Sequence, residues 1–151
     1  MEIIRQAIIE DSNAIKDLIK EFYDESLCEY GFSLDEDTIN ETIQNFVNNH
    51  IVLLVEKDNK IIGIIAGIVA VSIFDKKQRL AQEAIWYITK DERKGNIAIK
   101  LIEEFEKESK KRGANFILMG SMGNLNADIL NRLYEIKKYK LMERHYIGEE
   151  I

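Results

Sequence analysis

Arg93-Lys94-Gly95-Asn96-Ile97-Ala98 is the stretch whose residue types and spacing suit a chemical task. It falls between the apolar run Trp86-Tyr87-Ile88 and a long amphipathic segment. A helix that begins there carries unpaired backbone N–H groups and a partial positive charge. Such an end binds phosphate or another anion readily. Arg93 and Lys94 add two formal positive charges at the same place. They also fit an ordinary charged turn, but the strand–turn–helix context favours the phosphate reading. The expected task is a grip on the pyrophosphate of a nucleotide-like cofactor. Other uses of a helix N-terminus have no motif here: both Gly-x-x-x-x-Gly-Lys-Ser/Thr and Gly-x-Gly-x-x-Gly are missing.

Metal chemistry also has little support. The chain holds 2 histidines, His50 and His145, and one cysteine, Cys28, with no Cys/His cluster or His-x-x-x-His spacing. One cysteine forms no intrachain disulfide, which fits a reducing cytosol. The start has no signal-peptide pattern, so a cytoplasmic location is expected. Residues 61–74 are apolar but too short to span a membrane, which takes roughly 20 residues. The net charge of −6 argues against general nucleic-acid binding, which uses a basic face. It is mildly compatible with a cationic, amine-bearing substrate. The 151 residues suit a single domain, 1–151, with one sizeable core.

The elements that must position the turn follow from periodicity. Residues 2–8 read as a strand. A helix follows, capped by Asp11 or Ser12, with Ile15, Leu18, Ile19 and Phe22 at helical spacing. Ser33 and Glu36 form a capping-box pattern for a second helix carrying Ile39, Ile43, Phe46 and Val47. Residues 51–56 and 60–74 read as a hairpin across Asp58-Asn59, with Gly63 and Gly67 marking a bulge or a close backbone approach. Residues 80–88 are the next strand, with Glu83 inside an otherwise largely apolar run. A helix over 96–112 follows, with Glu103–Lys107 and Glu106–Lys110 as i,i+4 pairs. Then come a strand at 115–119, a helix at 128–137, and one or two closing strands at 139–147. The order is β-α-α-β-β-β-α-β-α-β, an α/β chain with a mixed sheet flanked by helices.

These residues resemble the GNAT superfamily of N-acetyltransferases. That family's acetyl-CoA signature is Arg/Gln-x-x-Gly-x-Gly/Ala on a strand–turn–helix. Arg93 and Ala98 match its ends, Asn96 replaces the central glycine, and Gly95 lies one position earlier. Leu133-Tyr134-Glu135 resembles the late motif, with Lys138 in place of its glycine. The resemblance spans essentially the whole chain.

It implies a mostly antiparallel sheet with a splay between the strand ending at Ile88 and the one starting near Asn115. The pantetheine arm would bond to the backbone around Trp86 and Ile88. The pyrophosphate would meet the N–H groups of Arg93, Lys94, Gly95, Asn96, Ile97 and Ala98, with Asn126 a looser contact to the arm. Tyr134 would protonate the leaving thiolate, or else simply pack in the core. Glu83 reads equally as the base for the amine and as an edge-facing or salt-bridged carboxylate. His145 fits a solvated position better than a base, and His50 a surface one. Direct transfer needs no covalent intermediate, so Cys28 has no assigned role. The implied acceptor is a small-molecule or peptide amine, and members of the family are often homodimers. The alternative is a catalytically silent acyl-CoA-binding module.

Overall fold

The computed structural model describes residues 1–148. Five strands form one sheet in the order β1-β2-β3-β4-β5: Glu2–Gln6, Ile51–Lys57, Lys60–Val71, Arg79–Ile88 and Phe116–Leu118. The first three pairings are antiparallel and β4–β5 is parallel. Helices α1 (Ser12–Glu25) and α2 (Glu36–Asn49) cover one face. Helix α3 (Ile97–Lys111) covers the other, and α4 (Ala127–Ile136) follows β5.

The strands 51–57 and 60–71 are apolar on both faces because both faces are covered. Val52, Leu54, Ile64 and Ala66 join Ile15, Leu18, Phe22, Ile39 and Ile43 under α1 and α2. Leu53, Val55, Ile62 and Ile65 join Ile97, Leu101 and Phe105 of α3. Asp58 and Asn59 turn the hairpin with φ of 50° and 63°, the pair of left-handed residues that two-residue hairpins favour.

One irregularity in β4 sets up everything after it. Gly67 pairs with Glu83 and Ala66 with Ile85, so Ala84 is an extra residue. Such a bulge inverts the side-chain alternation beyond it. Ala81 therefore packs on the α3 side, whereas Tyr87 packs on the α1 side. Gly67 is needed opposite the bulge: a Cβ there would lie 2.6 Å from both the Gln82 carbonyl oxygen and the Phe105 ring. β5 pairs only with Leu80, Ala81 and Gln82. The parallel ladder stops where the bulge begins, and β4 and β5 part from there.

Several details differ from expectation. The second helix is capped by Asp35, not Ser33; its carboxylate accepts from both the N–H and the hydroxyl of Thr38. Lys107 pairs with Glu104, while Glu106 accepts from Lys137 and Tyr139. The closing strands at 139–147 do not form. Past Tyr139 no main-chain bond is made among the described residues, and Leu141, Met142 and Tyr146 are exposed. An alternating pattern gives a segment the capacity for a strand, but a strand exists only through a neighbour's ladder.

Candidate active site

The free edge of β4 is the first part of the site. Thr89 N–H donates to the Ile62 carbonyl, 2.9 Å away. Alternation along an antiparallel ladder then commits Tyr87 and Ile85 to β3. It turns the N–H and C=O groups of Trp86 and Ile88 to the opposite side, where β5 has already departed. This is the gap between the diverging strands. The Trp86 indole N–H is buried without an acceptor among the described residues, and its ring lies 6.1 Å from that of Tyr134.

The turn after β4 is the second part. A short 3-10 segment, Lys90–Glu92, leads into it. Gly95 takes φ of +64°, a left-handed backbone that glycine adopts without steric cost. Asn96 sits at φ −112° as the residue before α3, and its side chain makes no capping bond. The left-handed residue is therefore the glycine, and Asn96 replaces glycine at a position whose backbone needs none. Lys94 N–H bonds to the Glu92 carbonyl. Among the described residues the amides of Gly95, Asn96, Ile97, Ala98 and Ile99 donate to no protein acceptor. They form a cluster of free donors at the positive end of a 15-residue helix.

The side chain of Arg93 does not join them. Its Nε donates to the Ile88 carbonyl at 2.8 Å, and its Nη2 meets both oxygens of Glu25 at 2.9 and 3.0 Å. The guanidinium also stacks over the Tyr87 ring, 5.1 Å from its centroid. Expecting its charge at the phosphate came from sequence adjacency. Glu25, distant in sequence at the end of α1, takes that charge instead.

Glu83 and Tyr134 converge on Gly120. The Gly120 N–H donates to Glu83 Oε2 at 3.0 Å, and the Tyr134 hydroxyl donates to the Gly120 carbonyl. Glu83 is half-buried and has no cationic partner among the described residues. Burial raises its pKa from 4.5 to about 7, partly offset by the Gly120 bond. Burial first, and then the charge of Glu83, pushes the Tyr134 hydroxyl well above its ordinary range. One carboxyl titrates near neutrality and one phenol keeps its proton. That division suits a base and an acid at a single centre. Tyr139 stacks 5.7 Å from Tyr134 and donates to Glu106, which fixes the far side of the cluster.

The remaining candidates lie apart. Asn126 precedes α4 with φ 52° and accepts from Leu130 N–H; its side chain makes no capping bond. His145 is exposed and 3.3 Å from Glu143, and His50 packs edge-on against Phe46. Cys28 is exposed, and its thiol donates to the Asp24 carbonyl. No three metal-ligating side chains gather among the described residues. No helix there is long and apolar enough to cross a membrane. Sequence reading missed Glu25 and Asn124, because their only signal is the contact itself.

Comparison with known proteins bears on the fold and the family. No curated protein matches the chain. Among solved structures, a ribosomal-protein-alanine N-acetyltransferase from Brucella melitensis biovar Abortus 2308 superposes with a TM-score of 0.78 at 15% identity, covering 99% of each chain. An aminoglycoside acetyltransferase, meta-AAC0020, from an uncultured soil metagenomic sample, in complex with sisomicin, gives 0.75 at 18% identity, covering 99% of this chain and 97% of that one. A predicted acetyltransferase with acetyl-CoA from Clostridium acetobutylicum gives 0.74 at 17%, covering 99% and 96%. At such identities these likenesses speak for the fold. The family model for the GNAT acetyltransferases matches residues 13–135, and the chain belongs to that family.

Proposed function

We propose that the protein transfers an acetyl group from acetyl-CoA to a primary amine by direct attack. One observation carries this reading. The backbone groups of Trp86 and the Ile88 N–H line the strand gap, with the Ile88 carbonyl held by Arg93, and the free amides of residues 95–99 follow directly at its end. An extended amide-bearing arm with a pyrophosphate at one end fits that sequence of donors and acceptors. A structural neighbour that was solved with acetyl-CoA lends support.

In this reading Glu83 takes a proton from the amine, directly or through water. The neutral amine attacks the thioester carbonyl. Backbone N–H groups at the end of β4 face the developing oxyanion, and Tyr134 gives its proton to the departing thiolate. The new amide bond forms as the carbon–sulfur bond breaks, and the thiol leaves. Tyr134 must release the Gly120 carbonyl as it gives up its proton.

The acceptor is proposed to be cationic. Residues 20–41 hold eight acidic side chains and one lysine, more negative charge than the −6 of the whole chain. Two neighbours are named for amine acceptors, an aminoglycoside and a ribosomal-protein alanine. A cytoplasmic, acetyl-CoA-dependent enzyme is the form this reading takes. Calorimetric titration with acetyl-CoA, followed by thiol release across a panel of polyamines, aminoglycosides and basic peptides, tests it. Binding together with thiol release supports it. Binding with no release across the panel favours a silent acyl-CoA-binding module. No binding at millimolar acetyl-CoA by folded protein overturns both.

A further inference from the structure

The gap between β4 and β5 is open at the sheet, and one short corner on the α1 side reaches both of its walls. Glu25 is the last residue of α1. Its carboxylate holds Arg93 through two bonds of 2.9 and 3.0 Å and also accepts from the Tyr87 hydroxyl. Arg93 in turn donates to the Ile88 carbonyl, so Glu25 is fixed to the end of β4. From Ser26 to Glu29 the same corner grips the other wall. Asn124, in the loop after β5, donates through one Nδ2 to the Ser26 carbonyl at 3.0 Å and to Glu29 at 2.9 Å. Ser26 is fully buried, and its hydroxyl donates back to the Phe22 carbonyl. The corner is therefore anchored to α1 and cannot slide freely between the walls. Leu27, Met122 and Leu125 pack into the cluster that holds Phe22 and Tyr87, which ties both arms to one apolar mass.

We propose that the corner 25–29 is a clasp that sets the separation of the diverging strands, with Glu25 and Asn124 as its two positioning residues. This rests on the acetyl-CoA reading for its use, since the clasp would hold the gap at the width of the pantetheine arm. Neither side chain touches reacting atoms. Each acts on one wall through the corner, so cutting either bond frees both walls. A pair of independent local anchors would behave differently, each loosening only its own side.

Hydrogen exchange on the whole protein separates the two cases without any ligand. Glu25→Ala and Asn124→Ala are each expected to speed amide exchange about fivefold or more in both the 84–95 and 119–126 segments. Acceleration confined to the mutated wall, or none at all, overturns the clasp. Calorimetry then tests its use with acetyl-CoA and with acetyl-pantetheine, which lacks the pyrophosphate. Each variant is expected to weaken both ligands about fivefold to tenfold, and the double variant no more than the stronger single one. Exchange that rises in both walls while both affinities stay within about twofold overturns the claim that the clasp serves the arm. If the unaltered protein binds neither ligand, the acetyl-CoA reading and the clasp's use fall together, and exchange alone decides the clasp's existence.

Discussion

The turn at 93–98 and the crossing at Gly120 lie at opposite ends of the same gap and work by opposite means. At the turn the groups on offer are main-chain amides, while the one strong side chain, Arg93, is engaged inward with Glu25 and Ile88. At Gly120 the main chain serves as scaffold: its N–H holds Glu83 and its carbonyl holds Tyr134. A site built of backbone tolerates substitution wherever the chain path survives. A site built of side chains does not. Asn96 in place of glycine is thus a small departure, while loss of a single oxygen from Tyr134 would be a large one.

The sharpest test of that contrast is Tyr134→Phe. Removing a positioned acid typically costs 10²- to 10⁴-fold in rate, so kcat is expected to fall about 100-fold while acetyl-CoA affinity stays within about twofold. Thiol-release kinetics beside calorimetry measure the two separately. A proportional loss of binding would move Tyr134 from chemistry to packing.

Glu83→Gln comes next and carries a pH signature. The carboxyl must be ionised to accept a proton, and its pKa is about 7. The kcat/KM of the unaltered protein is therefore expected to rise with pH through about 7 and then level off. The Gln variant should lose that step, along with about tenfold of the plateau. Stability runs the other way. A carboxyl raised from 4.5 to about 7 binds its proton more tightly folded than unfolded. Its stabilising contribution is full below pH 4.5 and is lost as pH rises through 7. Thermal unfolding at pH 8 should favour the Gln variant, and at pH 4 the difference should vanish.

At the turn, Gly95→Ala probes the backbone alone. A Cβ there meets nothing within 4 Å, so the cost comes from the left-handed φ of +64°. That is about 1–2 kcal/mol, or a melting temperature lower by roughly 2–8 °C. Acetyl-CoA affinity should fall as the amides shift, and kcat at saturation should hold. A fall in kcat without loss of affinity would reverse the assignment of the two regions.

These contrasts also explain what was legible in the sequence. The hairpin was visible in the sequence as two apolar runs, 51–55 and 61–71, on either side of Asp58-Asn59. The strand–turn–helix around Gly95 was visible because glycine and helical periodicity are local signals. Gly67 marked a bulge or a close approach, and both are there; that the extra residue is Ala84 on the facing strand was not legible, since Ala84 carries no mark and the pairing is set across strands. The partner of Arg93 was hidden for the same reason: Glu25 is 68 residues away. The strand pattern at 139–147 shows the converse failure, a local signal without a tertiary partner. Tyr134 and Glu83 were found as types, but their meeting at Gly120 depends on how far β5 diverges from β4.

The smallest expected effect mirrors the Gly95 test at the far end of the gap. Lys138 follows α4 with φ +63°, almost the angle of Gly95, but with a side chain that must bear it. It is exposed and forms no ion pair among the described residues. Its N–H bonds to the Glu135 carbonyl and that of Tyr139 to the Tyr134 carbonyl, so the turn is held from both sides whatever the residue. Lys138→Gly relieves the left-handed strain of about 1 kcal/mol and gives back part of that through the freer unfolded chain. A rise in melting temperature of about 1–3 °C is expected, with kcat and acetyl-CoA affinity unchanged. A change in kcat would instead tie this backbone angle to the orientation of Tyr134, four residues earlier. The exit of α4 would then belong to the side-chain half of the comparison.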